Sequence, residues 1–334
     1  MMSRSYGFMG VGIGILWLVL LPGCSTTAPP YQVGDVERIR FTYEENHWQW
    51  VEMPDKPPTK KDGRVITKEI VMRREVESVN PNDNSALMNV TLEKVDINMK
   101  TVLSEKTRYS YYRSSAEETN SNIPELPKLA GTSYKIRLAP DTTVLEIIGL
   151  DELCKQLEIK EDNFLLAPEV DVLTPKAVKQ LQERECRQCG VKPGKTVKKL
   201  THVPHMMIKA QAMNTTYTAD RGRMDGDAKW ITVTSAGEEV HTLPEGWDAP
   251  PDPTDGRLWI KNMFDMQKLD VTGKGEWDAN TGRVKSEQKH ISCLLVYLGS
   301  KIASLNPQRL QNEGKDAGEI LAEISVKQTF EALP

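Results

Sequence analysis

Two cysteines and two histidines form the clearest candidate for a chemical site in the sequence. Two residues separate Cys186 from Cys189, twelve separate Cys189 from His202, and two separate His202 from His205. This spacing approaches that of a Cys2His2 zinc finger, whose histidines stand about three to five residues apart. Pro204 argues against the helix that a finger needs, and in a strand this histidine spacing sends the two rings to opposite faces. We therefore expect no metal here.

The same cysteine pair has the spacing of a thioredoxin-like redox centre. In such a thiol–disulfide oxidoreductase the pair lies at the start of a helix that follows a strand. Here Thr174-Pro175 predicts the start of a helix, and Gly190 predicts its end. Cys186 and Cys189 would then lie near the end of that helix, where the dipole disfavours a thiolate. A structural disulfide or inert thiols are favoured, and redox catalysis is kept as an alternative.

Other patterns associated with catalysis or ligand binding give little support for an enzyme. His47-Trp48-Gln49-Trp50 is a candidate ligand-stacking cluster, but strand alternation puts both tryptophans on one face as core or sheet-surface aromatics. The sequence contains no serine nucleophile elbow, zinc-binding helix, phosphate-binding loop or dinucleotide fingerprint. We expect no catalytic residue and no cofactor.

The N-terminal segment has the three parts of a secretory signal. Arg4 is the only charge before Asp35, and residues 6–21 are apolar or small. This run of about 16 residues is shorter than the ~20 that a membrane-spanning helix needs. The segment closes with Leu21-Pro22-Gly23-Cys24, which resembles the lipobox of bacterial lipoproteins, although Pro22 departs from the usual small residue.

The lipobox resemblance implies an address for the protein. It implies that diacylglycerol is attached to the Cys24 thiol, that residues 1–23 are removed, and that acyl chains such as palmitate hold the mature chain to a membrane. Ser25 follows the cysteine, which resembles an outer-membrane rather than an inner-membrane signal. We therefore expect a lipid-anchored protein of the bacterial cell envelope, facing the periplasm or the surface.

Composition limits the partners and the state of the cysteines. Cleavage before Cys24 removes Arg4 and no acid, so the formal charge goes from −4 to −5, and we expect no nucleic-acid partner. With Cys24 lipidated, an even number of cysteines remains in an oxidising compartment. These candidate disulfide partners allow three pairings, and the sequence does not choose among them: Cys154, Cys186, Cys189 and Cys293.

Hydrophobic periodicity predicts a mainly β (α+β) fold of long antiparallel, curved sheets in two loosely repeated halves. After a flexible tether over residues 24–32, residues 33–148 form the first β-rich half, residues 149–190 a helical middle, and residues 191–334 the second half. Helices are predicted over Gly149–Leu157 and from Thr174. Two-residue alternation predicts strands over 36–43, 68–79, 87–99, 107–114, 133–138, 143–148, 199–213, 230–234, 265–277, 283–298 and 324–330. Residues 243–256 are predicted to be a loop and 317–323 a short helix.

The halves share two features. Val33-Gly34-Asp35 precedes the first strands as Pro193-Gly194-Lys195 precedes the later ones, and each half ends in strands joined by an acidic turn, around Asp141 and around Asp278. This arrangement resembles an uncharacterised family of exported bacterial lipoproteins, which implies architecture and address but no activity.

Three functions are left open by the sequence. The first is a non-enzymatic binding or scaffold module, and a more specific form of it carries or senses an apolar ligand within the curved sheet. Adaptable methionine side chains could line such a cavity: Met206, Met207, Met213, Met263 and Met266. The second is the oxidoreductase using Cys186 and Cys189. The third is assembly with another envelope protein through sheet edges.

Overall fold

The computed structural model describes residues 31–52, 62–103, 106–123, 126–159, 172–202, 212–239, 264–297 and 319–334. The strands are β1 Val36–Glu52, β2 Asp62–Val79, β3 Ala86–Leu103, β4 Lys106–Ser114, β5 Thr119–Ser121, β6 Ser133–Leu138, β7 Val144–Ile148, β8 Thr196–His202, β9 Ala212–Ala219, β10 Arg223–Asp225, β11 Ala228–Glu239, β12 Phe264–Asp278, β13 Val284–Tyr297 and β14 Glu319–Leu333. The helices are α1 Leu150–Gln156, α2 Pro175–Gln182 and α3 Glu185–Gln188.

All of these strands belong to one antiparallel sheet. Its order is β5-β4-β3-β2-β1-β14-β13-β12-β11-β9-β8, with β10 on β11 and the β6–β7 hairpin on β3. The C-terminal strand β14 pairs with β1 on one side and with β13 on the other. The prediction of a mainly β, antiparallel fold with a short helical middle is confirmed, and β14 joins the strands of the two predicted halves into one sheet.

The sheet has two chemically different faces. On β1, Ile39 and Phe41 are buried in the same apolar cluster as Val178 and Leu181 of α2, and we call this side of the sheet the inner face. The alternate residues of β1, such as Arg40 and Glu44, lie on the outer face, where Arg40 pairs with Glu69 and Glu331. This alternation of apolar and polar residues is the signal that predicted the strands.

The two turns that the sequence singled out have matching hydrogen bonds. The Asp35 N–H donates to Gln32 O at 3.0 Å, and the Lys195 N–H donates to Lys192 O at 3.0 Å. Gly34 and Gly194 have φ values of 87° and 70°, which a side chain would disfavour. Each glycine N–H also donates to a neighbouring segment, to Val76 O and Asp220 O respectively. The turns that precede the two predicted β-rich halves therefore have similar backbone geometry.

The structure corrects two predictions about elements. The helix from Thr174 ends at Gln182 rather than near Gly190, because the Arg184 N–H donates to Thr142 Oγ1 at 2.9 Å instead of continuing the helical ladder. The short helix predicted over residues 317–323 is wrong for residues 319–323, which form the start of β14. Pairing on both edges of β14 outweighs helix propensity there.

The structure describes only the last two residues of the predicted tether, Tyr31 and Gln32. Tyr31 is 3% exposed and belongs to the apolar cluster of the inner face. The rest of the tether lies outside the described residues, as do Cys24, the signal segment, residues 203–211 between β8 and β9, and the predicted loop at 243–256. The proposed domain boundaries stay predictions.

Asp278 organises the acidic turn between β12 and β13. Its carboxylate accepts hydrogen bonds from the backbone N–H groups of Lys229 and Asn280, both at 3.1 Å, and from the Thr281 hydroxyl at 2.8 Å. Burial alone would raise the pKa of Asp278, but these hydrogen bonds outweigh burial and lower the pKa. The turn is thus held by the ionised carboxylate.

We expect Asp278→Ala to lower the free energy of unfolding by about 1–3 kcal/mol, because it leaves partly buried N–H donors without an acceptor. Since the folded-state pKa is depressed, the contribution of Asp278 is complete above the ordinary aspartate pKa and is lost as the pH falls through the folded-state value. Urea unfolding at neutral and acid pH measures both effects. The exposed Asp225 provides the control, and equal losses for Asp225→Ala and Asp278→Ala would contradict this role.

Candidate functional site

Helix α3 approaches the inner face closely because a glycine lies beneath it. A Cβ placed on Gly275 of β12 would lie 2.6 Å from Cys186 Cβ and 2.8 Å from its Sγ. Such distances are too short for any side chain, so Gly275 allows the Cys186 side chain of α3 to pack directly against the sheet. The segment that carries the two candidate cysteines is therefore pressed onto β12 and β13.

Glu185, the first residue of α3, is held by two side chains from the sheet. Its carboxylate forms an ion pair with Lys289 of β13 and accepts a hydrogen bond from the Tyr217 hydroxyl of β9. Burial raises the pKa of Glu185, but the neighbouring Lys289 charge and these hydrogen bonds outweigh burial and lower it. Burial and the adjacent carboxylate raise the pKa of Tyr217. Glu185 is thus an ionised anchor and Tyr217 a neutral donor.

Cys186 lies beside a second buried carboxylate. The Cys186 N–H donates to Glu287 Oε1 at 2.6 Å, and burial raises the pKa of Glu287. Burial, followed by the influence of Glu287, raises the pKa of the Cys186 thiol well above its usual value. Burial also raises the pKa of Cys189. Neither thiol has the lowered pKa that a redox or nucleophilic cysteine requires.

The helix-dipole argument made from the sequence does not apply to Cys186, because its thiolate is disfavoured for a different reason. Cys186 lies in the first turn of the short helix α3, and not near the end of a long helix. The dipole argument was therefore wrong in its geometry. Burial and Glu287, which lies 101 residues further along the chain, disfavour the thiolate instead.

Three arginines, Arg74, Arg184 and Arg187, connect the helices to the sheet. Arg74 of β2 forms an ion pair with Glu37 at 2.6 Å and donates to Gln182 Oε1 of α2 at 3.3 Å. Arg184 lies over the Phe330 ring at 3.6 Å, and burial lowers its pKa to about 9. Arg187 lies over the Trp277 ring at 4.2 Å. These arginines connect α2 and α3, which together we call the helical segment, to β1, β2, β12 and β14.

The arrangement has no room for a substrate of ordinary size. A cavity of about 20 Å³ lies between α3 and the sheet, with Glu185, Cys186, Tyr217, Glu287 and Lys289 among its lining residues. That volume accommodates about one water molecule. We conclude that the buried charges hold the helical segment in place, and that this cluster does not form an active-site cleft.

The four cysteines that the structure describes are not in disulfide bonds. Half-buried Cys154 packs against the first apolar cluster, Cys293 belongs to a second, and Cys186 and Cys189 belong to a third. Cys189 Sγ donates to Cys186 O at 3.3 Å. The disulfides that the even number of cysteines suggested are not formed here, and their formation in the exported protein stays a prediction.

The zinc-like pattern is only partly covered by the structure. His202 is the last residue of β8, and His205 lies outside the described residues. Within the described ranges, no group of three or more histidine, cysteine, aspartate or glutamate residues is arranged to hold a metal ion.

A row of mostly polar residues crosses the inner face next to α3. Cross-strand pairing aligns its members, which we call the transverse row: Tyr217, Ser235, Gly273, Lys289, Gln328 and Tyr43. On one side of this row lie Gly275 and Glu287, beneath the helical segment. On the other side lies an apolar surface, so the row separates two parts of the inner face.

The second apolar cluster occupies that other side. Every buried member belongs to a strand: Met213, Val271, Ile291, Cys293, Leu295, Ala322, Ile324 and Val326. Met213 is the one predicted cavity-lining methionine whose side chain the structure describes, and its sulfur would contact a Cβ on Gly237. The cluster was not identified from the sequence, although Gly273 and Gly275 alternate within β12 and such glycines can mark close approach to a sheet.

Among the residues that the structure covers, no helix has the length and apolar character needed to cross a membrane. No protein-family model matches the chain, and no curated protein matches it.

Two of the solved structures that are similar to the chain can be compared with it. The structure described as lipid–protein interactions in lipovitellin has 10% sequence identity and a TM-score of 0.38, and the match covers 91% of this chain. This chain spans 25% of the lipovitellin chain. An outer membrane channel from Pseudomonas putida F1 has 7% identity and a TM-score of 0.17, with coverage of 94% of this chain and 100% of the channel.

Proposed function

We propose that this chain is a lipid-anchored protein of the bacterial cell envelope that acts as a non-enzymatic binding module for an apolar ligand. The anchor is the lipidated Cys24, and the outer membrane is the favoured location; both proposals rest on the signal pattern and the lipobox resemblance of residues 1–25. The ligand is an acyl chain or a molecule of similar apolar character.

The second apolar cluster is the observation that supports the ligand. Its eight buried members come from β9, β12, β13 and β14, and all are strand residues. A continuous apolar face of this kind matches a flexible hydrocarbon chain because burial of apolar surface needs no directional contact. The small side chain of Ala322 and the adaptable Met213 suit a ligand of variable shape.

The transverse row gives this surface a boundary. Along β13, inward residues change from Glu287 and Lys289 to Ile291, Cys293 and Leu295. The buried charges therefore lie with the helical segment, whereas the apolar surface begins one inward position later, about 7 Å along the strand. The side chains of this cluster are only 0–4% exposed, so an apolar ligand would take up part of the space in which they are buried, and it would leave the Glu185–Lys289 pair undisturbed.

We expect Ala322→Trp to abolish lipid occupancy while leaving the fold intact, because the indole would fill space that the ligand uses. The test is native mass spectrometry of the mature lipoprotein after gentle detergent extraction, together with its thermal midpoint. Ser292→Trp, which adds the same ring on the outer face of β13, is the matched control. Wild type and the control should carry a non-covalent lipid in addition to the acyl mass on Cys24.

Two outcomes would contradict the proposal in different ways. If Ala322→Trp unfolds the protein and the wild type never carries lipid, the second cluster is an ordinary core, since overpacking a filled core costs about 1–3 kcal/mol. If the mature chain keeps its initiator methionine and has no acyl mass, the anchor and the envelope location are wrong.

A further inference from the structure

Trp48 lies on the outer face of the sheet, beside a glycine of the neighbouring strand. Its cross-strand partner on β2 is Gly63, and a Cβ on Gly63 would lie 2.7 Å from Trp48 Cε3. The same Cβ would lie 2.2 Å from the His47 carbonyl oxygen, so only glycine allows β1 and Trp48 to come this close to β2. Trp48 is half-buried, so part of the indole is accessible on the outer face.

Polar side chains surround this ring on the same face. Asn46 pairs with Ser325 across β1 and β14, and Trp48 pairs with Glu323 in the next row. These four residues line an open groove of about 440 Å³. Beyond it, Ser325 Oγ is within 3.3 Å of His290 Nε2 on β13. The groove thus combines an amide, a carboxylate and a hydroxyl with one indole ring.

We propose that this groove binds a neutral sugar ring of an envelope glycan. A pyranose has an apolar face of C–H groups that stacks on an aromatic ring, and a rim of hydroxyls that pairs with amide, carboxylate and hydroxyl side chains. The groove volume lies in the range of small-molecule sites, which is enough for one or two sugar units. Its one charged lining residue, Glu323, disfavours a polyanionic glycan.

This site is separate from the apolar ligand site. Trp48 and Glu323 lie on the outer face, whereas Ala322 and Ile324 lie on the inner face of the same strand pair. One sheet therefore offers an apolar surface on one side and a sugar-binding groove on the other. The sugar site stands independently of lipid binding, and either proposal can fail without the other.

The test measures binding of triacetylchitotriose and maltotriose to the full mature chain by isothermal titration calorimetry, in a detergent without a sugar head group. We expect saturable binding of at least one of these sugars. Trp48→Leu, which keeps an apolar cover on Gly63 but removes the ring, should weaken binding at least about tenfold. Asn46→Ala should weaken it in the same direction through the lost amide.

Trp230→Leu is the control variant. Trp230 is another half-buried tryptophan of the sheet, lies outside the groove, and has Lys285 Nζ 5.0 Å from its ring centre. Binding should be unchanged in this variant. The proposal is overturned if neither sugar binds to the wild type, if Asn46→Ala and a folded Trp48→Leu both bind as the wild type does, or if choline binds in place of sugar.

Discussion

Glu37→Leu is expected to lower the free energy of unfolding by about 3–5 kcal/mol, because it leaves the Arg74 charge buried without its partner. Arg74 has a side-chain exposure of 6% and lies 2.6 Å from the Glu37 carboxylate. Burial lowers the pKa of Arg74, but the charge and hydrogen bond of Glu37 outweigh burial and raise it. The Glu37 carboxylate therefore stabilises the charged form of the buried Arg74 guanidinium.

The control for this prediction lies on the opposite face of the neighbouring strand. Glu75 pairs with Arg73 at 2.8 Å, with exposures of 43% and 40%, and Glu75→Leu should cost only about 0–1 kcal/mol. Urea unfolding with linear extrapolation measures both values.

A double variant separates charge burial from packing. Glu37→Leu with Arg74→Met removes both charges and keeps apolar volume, so it should recover most of the stability lost by Glu37→Leu alone. Equal losses for Glu37→Leu and Glu75→Leu would show that the buried pair does not fasten the helical segment.

The sequence predicts those parts of the fold that depend on local signals. Two-residue alternation predicted the long strands, and Thr174-Pro175 predicted the start of α2, where Thr174 Oγ1 accepts the Ala177 N–H at 3.2 Å. Both signals act over a few residues. They can therefore be recognised without knowing what the rest of the chain does.

The elements that were wrongly predicted depend on distant partners. Helix α2 ends where Thr142, 42 residues earlier in the chain, accepts the Arg184 N–H. The start of β14 is a strand because β1 and β13 pair with it on both edges. No pattern within residues 174–190 or 317–323 indicates these distant partners. Local propensity alone therefore predicted that the first helix continues towards Gly190 and that a short helix forms over residues 317–323.

The contacts around α2 and α3 also depend on residues that are distant in the chain. Glu185 and Lys289 are 104 residues apart, and Arg74 and Gln182 are 108 residues apart. The sequence drew attention to Cys186 and Cys189 by their spacing, but the residues that set their chemistry are Glu287 and the surrounding burial. A short motif identified the segment and could not identify its environment.

The chemistry of the cysteines gives the second large expected effect. In the folded mature chain, with Cys24→Ser to remove the anchor thiol, we expect half-buried Cys154 to react first with a thiol reagent such as DTNB at pH 8. Burial raises the pKa of Cys293 to about 12, and it also raises the pKa values of Cys186 and Cys189. Because the thiolate is the reactive form, Cys293 should react more slowly than an ordinary thiol by about one to two orders of magnitude; the smaller thiolate fraction is partly offset by the higher nucleophilicity of a high-pKa thiolate.

Absorbance kinetics with peptide mapping measure these rates, and Cys154→Ser, which should remove the fast phase, is the control. Unfolding in urea without a reductant should then expose all four thiols, whereas each disulfide formed during export would remove two from the count. Rapid labelling of Cys186 or Cys189 in the folded protein would restore the oxidoreductase alternative, because it would mean that a thiolate forms despite Glu287. Slow labelling of both leaves them as apolar contacts between α3 and the sheet, where Gly275 makes room for Cys186.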